Sequence, residues 1–332
     1  MNAFRNGTGT EVRLLEALYK AGDTCVSGAA LGEYLDVSRT AVWKHISKLK
    51  SRGYVIETVP FKGYRLISSP DLISESEIQR ELECERFGSR VVSFTETEST
   101  NQTALELGRQ SAPEGTIVVA DRQSRGRGRL GRTWLAPGGT GILVSVLLRP
   151  ITLSPRHTAW LTLMAAVSVT KLIMRHADIE ARIKWPNDVL VGDQKICGIL
   201  TEMVAEQDRI EYAVVGIGLN VNQSRSQFAA QIRPSAASLK TVTGKQFNRA
   251  RLLRGLLEIL EHDYYRLISD GVEDTRQQWM RHSATVGRDV VCRWNDTVVE
   301  GKAVGLADDG ALMVRQSDGS EIAVVRGDVT YV

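Results

Sequence analysis

With 332 residues, 42% of them hydrophobic, the chain is long enough for two or three domains with substantial cores. No stretch offers the roughly 20 uncharged apolar residues that a membrane span needs, and Arg5 with its polar neighbours leaves no apolar run for a signal peptide. Net charge is only +3, and Cys25, Cys84, Cys197 and Cys292 are widely separated without CxxC spacing, which argues against a zinc site or disulfide scaffold and for a reduced, cytoplasmic setting.

The charge is unevenly placed. Residues 1–70 hold ten Lys/Arg against six Asp/Glu, whereas the remainder holds 32 against 33. That first segment reads as three short helices and a hairpin. Val12, Leu14, Leu15, Leu18 and Tyr19 recur at helical spacing. Ser27 is placed to cap a second helix carrying Ala30, Leu31 and Leu35. Asp36-Val37-Ser38 forms a turn, and Ser38 caps a third helix through Lys50 that buries Ala41, Val42, Ile46 and Leu49. Strands at Tyr54–Val59 and Gly63–Ile67 flank Pro60-Phe61-Lys62. This is a winged helix-turn-helix order, in which the second helix of the motif enters the major groove. Ser27, Ser38, Arg39, Thr40, Trp43, Lys44, Lys48, Lys62 and Arg65 form the candidate DNA-facing set. The alternative is a packing or dimerisation module; turn, capping and charge agree on DNA.

Ser68-Ser69-Pro70-Asp71 reads as a polar linker, and Ser74 with Glu77 as a capping box for a short helix to about Glu83. From Val91 to about Ser283 strands alternate with helices. The strands fall at Val91–Phe94, Thr116–Asp121, Gly141–Leu148, Ala181–Trp185, Asp188–Val191, Lys195–Val204 and Tyr212–Val221. The helices fall at Asn101–Arg109, Arg156–His176 and Arg249–Ser269. Tight turns such as Gly192-Asp193 favour a mixed, largely antiparallel sheet, hence an α+β domain. Beyond Ala284 the chain reads as short strands joined at Asn295-Asp296, Asp309-Gly310 and Asp318-Gly319, a small SH3-like β-barrel. The expected division is 1–68, 69–283 and 284–332.

The chemistry concentrates in four blocks. Gly126–Arg132 alternates glycine with arginine, and five arginines lie between Arg122 and Arg132. Glycine permits close backbone approach and arginine supplies forked donors for phosphate or carboxylate oxygens. Read alone, such a loop is either an anion cradle or a solvated basic segment. The other blocks are Ser99-Thr100-Asn101-Gln102, Lys184-Trp185-Pro186-Asn187-Asp188 with Lys195 and Gly198–Glu202, and Gly216-Ile217-Gly218-Leu219-Asn220. In this order they resemble the biotin protein ligases. With the N-terminal helices, the chain resembles the bifunctional subtype that also represses biotin synthesis.

The resemblance implies a central class II synthetase-like biotin ligase domain that uses biotin, ATP and Mg²⁺. Biotinoyl-5′-adenylate would form first, and biotin would then pass to a lysine of a biotin carboxyl carrier protein. It implies biotin contacts from Ser99, Thr100, Asn101, Gln123, Arg127, Gly128, Arg129 and Lys195. Lys195 matches the catalytic lysine, and Arg129 would hold the carboxylate–phosphate junction. Gly126, Arg132, Trp134, Asn187 and Asn220 are the candidate nucleotide contacts, with Trp134 the better adenine platform and Trp185 the better core residue. Asp188 either pairs with a catalytic lysine, helps position Mg²⁺, or satisfies backbone N–H groups in a turn. Ser99–Asn101 could equally cap their helix. Two departures stand out: Leu130 occupies a loop position that is often basic, and Gln223–Ser238 carries no assignable contact. The expected partners are the carrier protein, operator DNA and a second copy in a ligand-promoted homodimer. Other readings are a biotin-sensing transcription factor without transfer, a ligase with a non-regulatory head, and a lipoate ligase.

Overall fold

The computed structural model describes residues 9–206 and 208–332, so Arg5 lies outside the described residues. The N-terminal head comprises α1 (Gly9–Ala21), α2 (Gly28–Leu35) and α3 (Arg39–Ser51), followed by an antiparallel wing of β1 (Val55–Val59) and β2 (Gly63–Ser68). Ser27 and Ser38 each accept a hydrogen bond from the N–H three residues on, at 3.0 and 3.2 Å, and so start α2 and α3. Asp36 ends α2 in the left-handed region. The three helices and the wing close around Leu14, Leu18, Leu31, Val42, Ile46, Leu49 and Ile56. Ala41 is only half-buried.

The linker departs from expectation, because it is docked rather than free. Arg249 is 1% exposed. It donates through Nε to Asp71 Oδ2 at 2.9 Å and through Nη1 to Asp121 Oδ1 at 2.7 Å. A buried guanidinium needs such partners, and the linker carboxylate supplies one. The next helix, α4 (Glu75–Gln79), is also shorter than predicted, and its box is half-formed. Ser74 accepts from Glu77 N–H, but the Glu77 carboxylate turns toward the head. It accepts the phenol hydroxyls of Tyr19 and Tyr54, both at 2.8 Å, and sits 3.6 Å from Arg80. Burial, then the neighbouring carboxylate, pushes both phenols well above their ordinary range, so they remain donors.

The central domain contains β3 (Val91–Thr97), α5 (Thr100–Arg109), β4 (Ile117–Gln123), β5 (Gly141–Leu148), α6 (Ala159–Ala177), β6 (Arg182–Lys184), β7 (Asp188–Val191), β8 (Gln194–Glu206) and β9 (Arg209–Asn220). α7 (Leu239–Thr243), α8 (Arg249–Asp270) and α9 (Glu273–Arg281) follow. The seven strands order as β3-β4-β5-β9-β8-β7-β6. β3 and β4 run parallel across the α5 crossover, and the other neighbours are antiparallel, so the sheet is mixed as expected. Period-two side chains serve two cores. Ile117, Val119, Ile142, Val144 and Val146 face the layer of α6 and α8, whereas Val118, Ala120 and Leu147 join Ala104 of α5. The stretch Pro155–Ala177 is long and apolar enough to cross a membrane by length and composition, but 67% of its apolar window is buried within the fold. It is the core helix.

The C-terminal strands β10 (Asp289–Trp294), β11 (Thr297–Leu306), β12 (Leu312–Arg315), β13 (Glu321–Val324) and β14 (Asp328–Tyr331) form one antiparallel sheet ordered β13-β12-β11-β10-β14. Val290, Cys292, Leu312 and Val314 belong to the same core cluster as α6. Trp160 Nε1 donates to Asp308 O at 2.7 Å and Trp185 Nε1 to Gly310 O at 3.2 Å. Two indoles thus fasten this sheet to the central domain, and Trp185 is the core residue expected of it.

Candidate active site

A cavity of about 440 Å³ opens on the sheet where β8 and β9 pass the N-terminus of α5. That size suits a small organic ligand. Ser99–Asn101, Lys184–Asp188 and, from the Gly/Arg loop and the residues after it, Arg127–Arg129 and Arg132–Leu135 line it. Of the fourteen candidate catalytic, biotin and nucleotide residues, Gly126 alone is not among the lining residues. A Cβ there would run into the Trp134 carbonyl, so this glycine serves the loop's own closure instead of a ligand. Trp134 N–H donates to Gly126 O at 2.9 Å and Gly128 N–H to Arg132 O at 2.7 Å, closing a small hairpin. Leu130 stands at its tip with φ of 54°.

At the α5 end, Gln123 Oε1 accepts from Thr100 N–H at 2.7 Å and from the Thr100 hydroxyl at 3.0 Å. Ser99 Oγ faces Gln102 N–H at 3.5 Å, so its capping role is present but long. Ser145 Oγ bridges Thr100 Oγ1 at 2.8 Å and Asn101 Oδ1 at 2.6 Å. Asn101 Nδ2 donates to Leu200 O at 3.1 Å and Glu202 Oε2 at 2.8 Å. Gly216 is glycine because a Cβ would strike that same Asn101 amide. Gly216 therefore makes room for Asn101, not for a ligand directly.

The Lys184–Asp188 end is cationic. Lys195 Nζ lies 2.6 Å from Asp188 Oδ1. Asp188 therefore pairs with the lysine, the first of its predicted roles. Asn187 Nδ2 donates to Ile199 O at 2.8 Å, while its Oδ1 faces Arg129 Nη1 at 3.4 Å. Burial holds the Arg129 guanidinium below its usual range, partly offset by Asp328 and Asp188. Arg127 Nη2 donates to Gln102 at 3.2 Å, and Arg132 forms an ion pair with Asp328. The Trp134 indole lies across β8 and β9. A Cβ on Gly218 or Gly198 would come within 2.6 or 2.9 Å of its ring, which is why both are glycine. The indole Nε1 is buried without a hydrogen-bond partner among the described residues. Lys195 Nζ is 5.5 Å from the ring centroid.

Asn220 borders the cavity, and its Nδ2 donates to Ala237 O while its Oδ1 accepts from Gln223, both at 3.0 Å. Its amide is engaged in joining β9 to the segment that follows. That segment, unassigned in the sequence, supplies Phe228, Ile232, Ser235 and Ala236 as a wall. Lys195 N–H donates to Ser235 O at 2.7 Å, which docks the wall beside the lysine. Asp328–Thr330 of the C-terminal sheet add another wall that sequence reasoning missed, because only tertiary packing brings it there. An apolar Phe228 four residues after Ser224 was the one signal available.

In the head, Arg39, Thr40, Trp43, Lys44, Lys48 and Lys62 are exposed. The Ser27 and Ser38 hydroxyls cap α2 and α3, as their positions in the sequence indicated. Lys48 pairs with Glu11 and Arg65 with Glu57, both at 2.5 Å. These two cations are thus partly engaged within the head.

A helix-turn-helix head joined to an α+β core with a cationic small-ligand cavity is the class that fold and site define. Residues 93–220 match the biotin/lipoate A/B protein ligase family, 11–65 a helix-turn-helix domain and 286–330 the biotin protein ligase C-terminal domain. The bifunctional ligase/repressor BirA of Bacillus subtilis is 40% identical over 306 residues, 92% of this chain and 94% of its own. The Escherichia coli protein of the same name is 28% identical over 291 residues, 87% of this chain and 88% of its own. The biotin protein ligase from Aquifex aeolicus, solved in complex with biotin and ATP, superimposes with a TM-score of 0.64 at 27% identity, covering 74% of this chain and 99% of that one. The chain belongs to the biotin protein ligase family, in its bifunctional ligase/repressor branch.

Proposed function

We propose that this protein adenylates biotin with ATP, transfers it to a lysine of a biotin carboxyl carrier protein, and represses biotin-synthesis genes with biotinoyl-5′-adenylate as corepressor. The observation that carries the reading is the convergence of Lys195, Asp188 and Arg129 on one cavity in a chain so similar to bifunctional ligase/repressors. In the first step a biotin carboxylate oxygen bonds to the α-phosphorus and the bond to pyrophosphate breaks. In the second, the acceptor amine attacks the acyl carbon and AMP leaves. The carboxylate is already a nucleophile at neutral pH, so the first step rests on holding anions together and neutralising them, whereas the acceptor lysine must give up its ammonium proton before attack and a second N–H proton as the amide forms, both passing to water. Lys195 exchanges Asp188 for the carboxylate and α-phosphate oxygens. Arg129, steadied by Asn187, meets the same junction, and Arg127 and Arg132 reach the outer oxygens. Ser99, Thr100 and Gln123 face the biotin head, and the unpartnered Trp134 indole turns to the nucleotide.

No group of three or more His, Cys, Asp or Glu among the described residues could hold a metal. Asp188 is the carboxylate beside Lys195 in the cavity, so it is the residue that would hold an Mg²⁺ entering as the counter-ion of ATP. When bound it supplies charge neutralisation at the phosphates. The reading further places the protein in the cytoplasm, keeps the division at 68 and 283, and has adenylate binding promote a homodimer that presents two heads to a two-fold operator. Biotin-dependent ATP–pyrophosphate exchange tests it. Exchange with biotin and not lipoate is expected; exchange with neither acid would reduce the central domain to a binding module. Sedimentation with and without biotin plus ATP tests the dimer, and equal dimerisation in both would overturn that part.

A further inference from the structure

The wing ends in a phenylalanine that no packing argument accounts for. Phe61 is 109% exposed, and its φ of 63° lies in the region that favours glycine. A bulky residue held there is a backbone outlier, and its ring buries no surface within the head that would offset that cost. The segment carrying it is well anchored. Tyr64 N–H donates to Val26 O and Val26 N–H to Tyr64 O, both at 2.9 Å. A Cβ on Gly63 would strike the Val26 carbonyl, so the wing root lies against the turn that starts α2. Lys50 Nζ at the end of α3 reaches Thr58 Oγ1 at 3.3 Å, and Arg65 bridges to Glu57 across the strands. The tip is therefore set at a defined place relative to α2 and α3, with exposed Lys62 beside it.

Resting on the DNA-binding reading above, we propose that Phe61 is an apolar wedge that enters the minor groove beside the base pairs read by α3 and partly unstacks a base step there. A side chain of this kind, flanked by a lysine for the phosphates, is what bending and kinking proteins insert between bases. Flexible pyrimidine–purine steps would be preferred under it, giving sequence preference without base-edge hydrogen bonds.

The test begins with duplexes selected from a random pool by the full-length protein with biotin and ATP. Affinity, salt dependence and the fluorescence of 2-aminopurine placed at successive steps are then compared for wild type, Phe61→Gly, Phe61→Leu and Lys62→Ala. Phe61→Gly relieves the backbone, so its melting temperature equals or exceeds that of wild type, yet it should bind the selected duplex about tenfold or more weakly and lose the 2-aminopurine brightening. Its salt slope stays at the wild-type value, whereas Lys62→Ala lowers the slope by about 0.9 while keeping the brightening. Phe61→Leu retains part of both signals. Phe61→Gly binding within twofold of wild type with the brightening intact would overturn the wedge and leave DNA binding standing. Loss of self-association instead of DNA affinity would reassign Phe61 to a contact between copies and also overturn it. If wild type enriches no duplex and binds none, the DNA reading falls and takes the wedge with it.

Discussion

On the outer face of α3 the side chains of Arg39, Trp43 and Lys44 stand in solvent, whereas in the cavity Asn101, Asn187, Asn220 and Gln123 are each already hydrogen-bonded to the protein. The head divides labour by residue. Serines build the helices, and neighbouring cations are left for a partner. The cavity divides it by side-chain type, with amides holding strands and loops in register while the charges of Lys195, Arg127 and Arg129 line the space between them. A buried amide cannot be idle without a desolvation cost, but a surface cation can.

The sharpest way to break this comparison is Lys195→Ala. Biotin-dependent pyrophosphate exchange should fall roughly 10²–10³-fold with melting unchanged, as for loss of one preorganised charge donor; a fall under fivefold would remove Lys195 from the chemistry. Asn101→Ala should behave differently, lowering stability by roughly 2 kcal/mol because Ser145, Leu200 and Glu202 lose a partner. Arg127→Ala, by contrast, should raise KM for biotin without moving the urea midpoint. If both variants melt alike, the split between building and contacting residues in the cavity is wrong.

In the head, Ser38→Ala should cost about 1 kcal/mol of stability through the lost cap. Lys44→Ala should leave stability alone, weaken all duplexes alike and reduce the salt slope by about 0.9. Equal salt slopes in the two variants would mean that Lys44 meets no phosphate.

The smallest effect concerns acid. Burial raises the Glu11 carboxyl, but hydrogen bonds and charge from Lys48 and Arg52 outweigh it and leave the group below its ordinary 4.5. A carboxyl depressed by folding adds stability above the unfolded value, and that share is lost as pH falls through the folded value. Wild type should therefore lose head stability as pH drops below about 4.5, with a gentler slope in Glu11→Gln, read by denaturation at pH 3 to 6.

Much of this was legible because it is local. Ser27 and Ser38 announce their helices, and Gly141–Leu148 and Asp188–Val191 were bounded correctly because apolar runs between turn residues define strands. α9 was missed because Thr275 and Trp279 are its only buried residues, too sparse for a helical period. β14 was missed for a similar reason: Asp328-Val329-Thr330-Tyr331 is short and mostly polar. In the site, residue types pointed to residues that share one cavity, while partner choice did not show. Nothing about Asn220 in one dimension says that its amide bonds Ala237 and Gln223. Nor does Asp71 in a polar run reveal that a buried arginine from α8 will hold it.

Glu77 bears on how this chain can be taken apart. Its carboxylate is 2% exposed and two of its hydrogen bonds come from head tyrosines. Cutting the chain at Ser69 would leave that carboxylate bare above Ile78, facing water where two phenols had been, and would loosen the short helix that carries it. A headless ligase made from this sequence is accordingly a matter of re-tailoring the seam, Glu77 first, before anything is trimmed away. The same seam explains why tags or fusions placed between the two parts would trouble both.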